Sequence, residues 1–367
     1  MPCHTLVTVT SPPSNTALPP ALAVAGGWGH IGGGFARAAL GAGVRVFVHD
    51  PAPRPGDGTL ADAEEVRDAA AFYALPVPFY HLALQPEHRD AALSLLAARP
   101  AVPGGPLVLV EKPLAPPFDR AGARRARQTA AGLPGTVLFD FIELYRPLTR
   151  VVFDYLSSFR RCRIHEIALT RTKDREDPAV PRNHIVTLPV QYQETVHCAA
   201  WALACLEHVR AGLPNDGRVE AWGRSLPYTP PNPGRYPEPV DGFFEGGAAL
   251  GETRVTFLTD FRRGTPRSQY RRVAGEGDGQ PFVLEAEYLP GAAWMKINGE
   301  SVPLPREDSP HLEVLREAWH HHTGRTGPGL PEPPLPGPAF AHRTWILSYL
   351  LWNAAHGKPA TGSLLDP

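Results

Sequence analysis

The chain has 367 residues, 43% of them apolar and 20% charged, a balance that excludes global disorder and suits about two folded domains. Lys+Arg 36 against Asp+Glu 37 gives a formal net charge of -1. No broad basic field exists to hold nucleic acid or an anionic membrane, so the expected partner is a small molecule or another copy of the chain.

Cys3, Cys162, Cys198 and Cys205 are too few and too scattered for a disulfide framework and form no Cys-x-x-Cys pair, which points to a reducing cytoplasm. Residues 1–20 have neither a basic start nor a long apolar stretch, and read as a flexible arm rather than a signal peptide. Proline and glycine interrupt every apolar run before it could span a bilayer, so no membrane helix is expected.

From Ala21 the run Ala-Leu-Ala-Val-Ala predicts a buried strand, followed by a glycine turn at 26–34 and a helical stretch from Phe35 to Leu40. A second apolar run, Val44 to His49, ends on Asp50. Strand-like segments at 78–84, 107–110 and 136–141 then alternate with helical ones at 89–98 and 120–131. Strands alternating with helices predict a parallel sheet covered on both faces. Within the turn, Gly27-x-Gly29-x-x-Gly32 has dinucleotide-binding spacing between strand and helix, with Asp50 about 20 residues on. Gly27, Trp28, Gly29, His30, Ile31 and Gly32 would cradle a pyrophosphate, and Asp50 would accept hydrogen bonds from the ribose hydroxyls. A carboxylate there favours NAD(H), while nearby Arg54 leaves NADP(H) open.

Glu111-Lys112-Pro113 stands after the fourth of these strands, and the combination of glycine turn and Glu-Lys-Pro resembles the Gfo/Idh/MocA oxidoreductases. The resemblance implies an α/β protein: an N-terminal Rossmann-like parallel sheet domain (21–146), then a C-terminal α+β domain with a large, open, mainly antiparallel sheet (147–367). The second half reads that way, with strand-like runs at 163–170, 254–259, 268–274 and 282–288 and a hairpin turn at Asn298-Gly299. The proline-rich stretches 225–239 and 328–338 predict loops, and 340–356 predicts a buried helix that would pack on the Rossmann domain.

A helix is expected from Val190 to Ala211, with Gly212 and Pro214 as stop signals. The resemblance makes Lys112 the electrostatic stabiliser of the substrate oxygen and His197 the acid/base. The family carries an aspartate four residues before this histidine, whereas this chain has Gln193. Glutamine orients an imidazole without stabilising its cation, and Glu194 is a candidate replacement. Gln85-Pro86 occupies the family's position near the nicotinamide ribose, beside Glu111 and Lys112 on the cofactor side. Tyr145 and Arg146 are candidates for substrate hydroxyls or for a domain-interface ion pair, and Tyr192 for lining the pocket.

Lys173 to Asp177 reads as a solvated charge run, although the resemblance puts it at the border of the active-site mouth, and His320-His321-His322 reads as surface, since consecutive helical residues point about 100° apart. No metal site is expected. The resemblance implies an NAD(P)-dependent enzyme acting on a secondary alcohol or ketone of a sugar, cyclitol or similar polyhydroxylated molecule, assembled as a homodimer or homotetramer. A glycoside-cleaving branch of the family with no net redox change stays open, as does a non-catalytic dinucleotide-binding regulator, the alternative that Gln193 raises.

Overall fold

The computed structural model describes residues 17–99, 104–184, 188–209, 217–231, 240–324 and 335–365. Most of the expected N-terminal arm, the stop signals Gly212 and Pro214, and most of both proline-rich stretches lie outside them.

Short apolar runs that read as continuous, not alternating, form the first sheet. β1 (Ala21–Ala25), β2 (Arg45–His49), β4 (Phe79–Leu82), β5 (Leu107–Glu111) and β6 (Thr136–Asp140) are buried on both faces over most of their length. With the two-residue β3 (Glu64–Glu65) they pair in parallel in the order β3-β2-β1-β4-β5-β6. The covering helices are α1 (His30–Gly41), α2 (Ala69–Tyr73), α3 (Pro86–Ala97) and α4 (Arg120–Ala131). Strand order reverses between β1 and β4, which opens a crevice at their carboxyl ends, where this class of sheet takes its ligands.

After a short 3-10 turn (Ile142–Tyr145) and α5 (Pro147–Ser157), the chain enters a nine-stranded sheet. Its strands are β7 (Cys162–Thr172), β8 (Arg218–Tyr228), β9 (Val240–Leu250), β10 (Thr253–Asp260), β11 (Tyr270–Gly277), β12 (Gln280–Glu287), β13 (Trp294–Ile297), β14 (Glu300–Ser301) and β15 (Thr361–Ser363). All neighbours are antiparallel except β7 and β10. Burial alternates along β10, β11 and β12, as expected for a sheet with one packed face. Asn298 and Gly299 both take positive φ, 51° and 87°, in the β13–β14 hairpin. Part of the expected 225–239 loop is instead strand: Ser225–Tyr228 close β8, with a register shift between Leu226 and Pro227. Proline is tolerated there because β15 pairs only with the start of β8, leaving this end as an edge.

The packed face is covered by α6 (Val196–His208), of which residues 196–206 are all buried, and by α8 (Pro338–Ala355). The latter also reaches the first sheet's side, where Trp345 Nε1 donates to the Ala115 carbonyl (3.2 Å). α7 (Pro310–His322) lies against α1. Among the described residues no helix is long and apolar enough to cross a membrane, and no group of side chains could hold a metal ion.

One polar group in this core has consequences for stability. His81 of β4 is 0% exposed, with Phe35 of α1 edge-on at 4.1 Å and His311 of α7 beyond it, 4.8 Å from Phe35. Neither ring nitrogen of His81 has a hydrogen-bond partner. Burial, with His311 and Arg89 adding to it, pushes its pKa down to about 3. The folded chain therefore keeps His81 neutral where the unfolded chain takes up a proton, so its contribution to stability falls as pH drops from about 6.5 toward 3, by up to about 1.4 kcal/mol per pH unit. His81→Leu should remove that slope: between pH 7 and about 4.5, urea unfolding should show the wild type losing about 2 kcal/mol more than the variant. Equal losses would assign the acid sensitivity elsewhere.

Candidate active site

The glycine turn is bare because the backbone leaves no room. Gly26 has φ +76°, a Cβ on Gly27 would lie 2.5 Å from Val48 Cγ1, and one on Gly32 would lie 2.3 Å from the Gly26 carbonyl oxygen. α1 thus starts directly over the end of β1, with Gly29 at its N-cap and no side chain capping its first-turn amides. Such an end suits an anion, and the crowding at Gly27 and Gly32 fits a dinucleotide cradle. At the end of β2, Asp50 Oδ2 accepts from the Trp28 amide and Oδ1 from the Ala52 amide, both at 2.9 Å. Each carboxylate oxygen keeps a lone pair for a ribose hydroxyl. Arg54 is tied to the Ala61 and Ala63 carbonyls (3.0 and 2.7 Å), its guanidinium 5.1 Å from the Trp28 ring centroid. Gln85 stands at the N-cap of α3, ahead of Pro86, without capping it through its side chain.

Lys112 leaves β5 at the mouth of the same crevice. Its Nζ donates to the backbone carbonyl of Gln193 at 2.8 Å, bridging the first sheet to the segment that leads into α6. Buried Arg89 holds the lysine loop from below, donating to the carbonyls of Leu84 (3.0 and 2.9 Å), Lys112 (3.2 Å) and Pro113. Glu111 faces Asp140 across the β5–β6 register, and both carboxyls are buried. Burial raises both pKa values against the pull of Lys112, and the charge of Glu111 raises that of Asp140 further. Glu111 is buried at the end of β5, directly before the lysine. Burial lowers the pKa of Lys112 itself, against the pull of Glu111 and Glu194.

The expected helix from Val190 begins differently: Gln191–Thr195 form a π-helical turn before α6. The wider turn voids the regular spacing on which a residue four before His197 would sit beside it. Gln193 Oε1 accepts from the Leu188 amide at 3.2 Å. Glu194, 3% exposed, accepts from Arg171 and Lys173, which places its carboxylate in a different bond set from the imidazole. Neither residue hydrogen-bonds His197, whose Nδ1 is buried without a partner. Burial first, then Arg171 and Lys112, hold the His197 pKa well below its ordinary value, so the ring is neutral.

A ladder of buried charge runs behind these groups. Glu143, in the 3-10 turn after β6, accepts from Arg171 of β7 and Arg271 of β11, and Arg171 continues to Glu194 and Lys173. Burial opposes ionisation of Glu194, but Arg171, Lys173 and Lys112 outweigh it and hold the carboxyl well below the usual range. The charge run from Lys173 is accordingly not all solvated surface. Arg171, Arg271, Glu143, Arg89 and Asp140 escape a reading of the sequence because their partners lie on other elements; the pairing of Glu111 with Asp140 at two parallel strand ends is the one signal that could have exposed any of them.

Three further candidates are occupied by the protein itself. Tyr145 donates to the Phe139 carbonyl at 2.9 Å, and Arg146 pairs with Glu307 (Nε–Oε1 2.7 Å). The ion-pair alternative for Arg146 thus describes its contacts. Tyr192 is fully buried, with Phe118 and Trp345 around its ring (5.5 and 5.9 Å between centroids). At the end of α7, His322 Nδ1 is 2.9 Å from Thr136 Oγ1.

No protein-family model matches the chain, and no curated protein matches it. Solved structures do. A provisionally assigned myo-inositol dehydrogenase from Sinorhizobium meliloti is 14% identical, with a TM-score of 0.66 over 94% of this chain and 99% of that one. A UDP-N-acetylglucosamine 3-dehydrogenase from Acidithiobacillus ferrooxidans is 14% identical, with a TM-score of 0.65 over 92% and 98%. The super-repressor mutant of Gal80p from Saccharomyces cerevisiae is 12% identical, with a TM-score of 0.62 over 94% and 98%. The six-stranded parallel sheet followed by a mainly antiparallel nine-stranded sheet is the fold of the Gfo/Idh/MocA-type oxidoreductases.

The two neighbours before His197 should behave very differently. Glu194→Gln strips a buried carboxylate from Arg171 and Lys173 and should cost about 3–5 kcal/mol in urea unfolding. Gln193→Ala loses one side-chain bond and keeps the carbonyl that holds Lys112, and should cost about 1 kcal/mol. Similar losses for both would contradict the ladder.

Proposed function

We propose that the protein is an NAD(P)-dependent oxidoreductase that moves a hydride between nicotinamide and a secondary alcohol or ketone of a polyhydroxylated small molecule such as a sugar or cyclitol. The observation that carries this reading is the reach of Lys112 from the carboxyl end of β5 to the Gln193 carbonyl, beside the helix of His197. It sets a lysine and a neutral imidazole at one crevice, next to a glycine cradle with Asp50 at its edge. Asp50 favours NAD(H), and NADP(H) stays open. When bound, the dinucleotide supplies the hydride acceptor or donor.

The residues divide the remaining work. His197, neutral because it is buried among cations, accepts the proton of the substrate hydroxyl. Lys112 stabilises the alkoxide that develops on that oxygen, with Gln193 and Arg89 fixing its loop. Glu194 acts one step removed, by neutralising Arg171 and Lys173. Because the His197 pKa lies below 6.5, the imidazole stays competent as a base into mildly acidic solution. Trp222, Leu226 and Leu258 are exposed on β8 and β10, which supports a homodimer or homotetramer formed through the nine-stranded sheet.

A second reading, a non-catalytic dinucleotide-binding regulator, is favoured by the orphaned Nδ1 of His197, which has no carboxylate to support its cation. A glycoside-cleaving enzyme with no net redox change would use the same residues.

Titration with NAD, NADH, NADP and NADPH, followed by tryptophan fluorescence and thermal shift, should show micromolar binding of one pair, since Trp28 lies inside the turn. Against a sugar and cyclitol screen, Lys112→Ala and His197→Ala should each lower kcat by about 10²–10⁴ with dinucleotide Kd within about threefold. Binding without turnover in the wild type would select the regulator; no binding of any of the four would refute both.

A further inference from the structure

The loop after β7 sorts its charges. Asp174, Glu176 and Asp177 spend their carboxylates on backbone amides: Asp174 Oδ1 on Glu176 and Asp177 (2.9 and 3.1 Å) and Oδ2 on Gly264 (2.8 Å), Glu176 on Thr229 and Arg263 (2.8 and 2.9 Å), and Asp177 on Ala179 (2.9 Å). The basic residues between them face the opposite way. Lys173 Nζ and Arg175 Cζ both approach the Phe261 ring, at 5.4 and 5.8 Å from its centroid. Lys173 finds Glu194, but Arg175 finds no acid: it is 3% exposed, and its Nε and Nη1 are buried with no hydrogen-bond partner.

Arg182, half-buried in the short 3-10 turn Pro181–His184, stands in the same field. Burial lowers its pKa, and Arg175, Arg171 and Arg267 lower it further against the pull of Glu194. Glu194 is already shared between Arg171 and Lys173. An unpaired buried guanidinium is costly unless a ligand completes it, and its planar fork matches a carboxylate or a phosphate.

We propose that Arg175 and Arg182 form an anion-binding subsite beside Lys112, and that it takes a carboxylate or phosphate group carried by the polyhydroxylated substrate. The proposal rests on the oxidoreductase reading and narrows its substrate to an acidic one. The same chemistry has a second source, the dinucleotide diphosphate, because His30 at the start of α1 also feels Arg182 and Arg175. The substrate is the better match: both arginines follow β7, on the side of Glu194 and Lys173, while the diphosphate has the uncapped end of α1.

The test uses the full chain, Arg175→Gln and Arg182→Gln, with inorganic phosphate, glucuronate, glucose 6-phosphate and glucose as probes of thermal stability, with and without saturating dinucleotide. The anionic probes should raise the melting midpoint at concentrations where glucose does not, and each variant should weaken that effect tenfold or more while dinucleotide Kd stays within twofold. Equal responses to acidic and neutral sugars would overturn the subsite. A tenfold loss of dinucleotide affinity with anion protection intact would overturn the substrate assignment and give the arginines to the diphosphate. If the wild type binds no dinucleotide, the oxidoreductase reading fails on its own, and protection by the anionic probes alone still decides the subsite. Ligand-free melting midpoints control for folding, and the more exposed Arg182 serves if Arg175→Gln does not fold.

Discussion

The ion-pair ladder from Glu143 through Arg171 to Glu194 and Lys173 is the constraint that orders the site. Charges taken out of water are tolerated only when each meets its opposite with good geometry. Glu143 follows the last strand of the first sheet, Arg171 and Arg271 belong to the second, and Glu194 lies on the approach to α6. The ladder therefore forms only when both sheets and that helix stand in one arrangement, the arrangement in which Lys112 meets the Gln193 carbonyl. A purely apolar junction would bring the sheets together without fixing their register so narrowly.

The same ladder explains the state of His197. A carboxylate three residues away is present, yet two cations consume it, and the imidazole is left neutral among positive neighbours. This differs from an imidazole backed by an acid, where the partner steadies the cation after proton uptake. Lys112 beside it is likewise less basic than a free lysine, because burial lowers its pKa.

Legibility in the sequence tracked the range of the interactions involved. The parallel strands, the glycine turn, the Asn298-Gly299 hairpin and α8 are local patterns of period, turn chemistry and apolar density, and each was readable. Ser225–Tyr228 reads as loop because prolines count against strands, and only the sheet's edge makes Pro227 acceptable. The π turn at Gln191–Thr195 leaves no mark in hydrophobic spacing, so the geometry between Gln193, Glu194 and His197 was not readable. Lys112 stood out through its neighbours Glu111 and Pro113. Arg171 and Arg175 did not, because a charged residue beside other charges looks solvated until its distant surroundings are known.

The lysine loop is also held from far along the chain. Trp345 bonds the Ala115 carbonyl across a separation of 230 residues, Trp352 packs on Phe118 at 4.2 Å, and the Arg120 guanidinium lies 5.6 Å from the Tyr349 ring centroid. During synthesis the amino-terminal half emerges first. The corner around Lys112 stays without its brace until α8 leaves the ribosome and docks. Completion of the lysine loop thus waits for an element 230 residues further along the chain, and a nascent chain stalled before α8 would lack that brace.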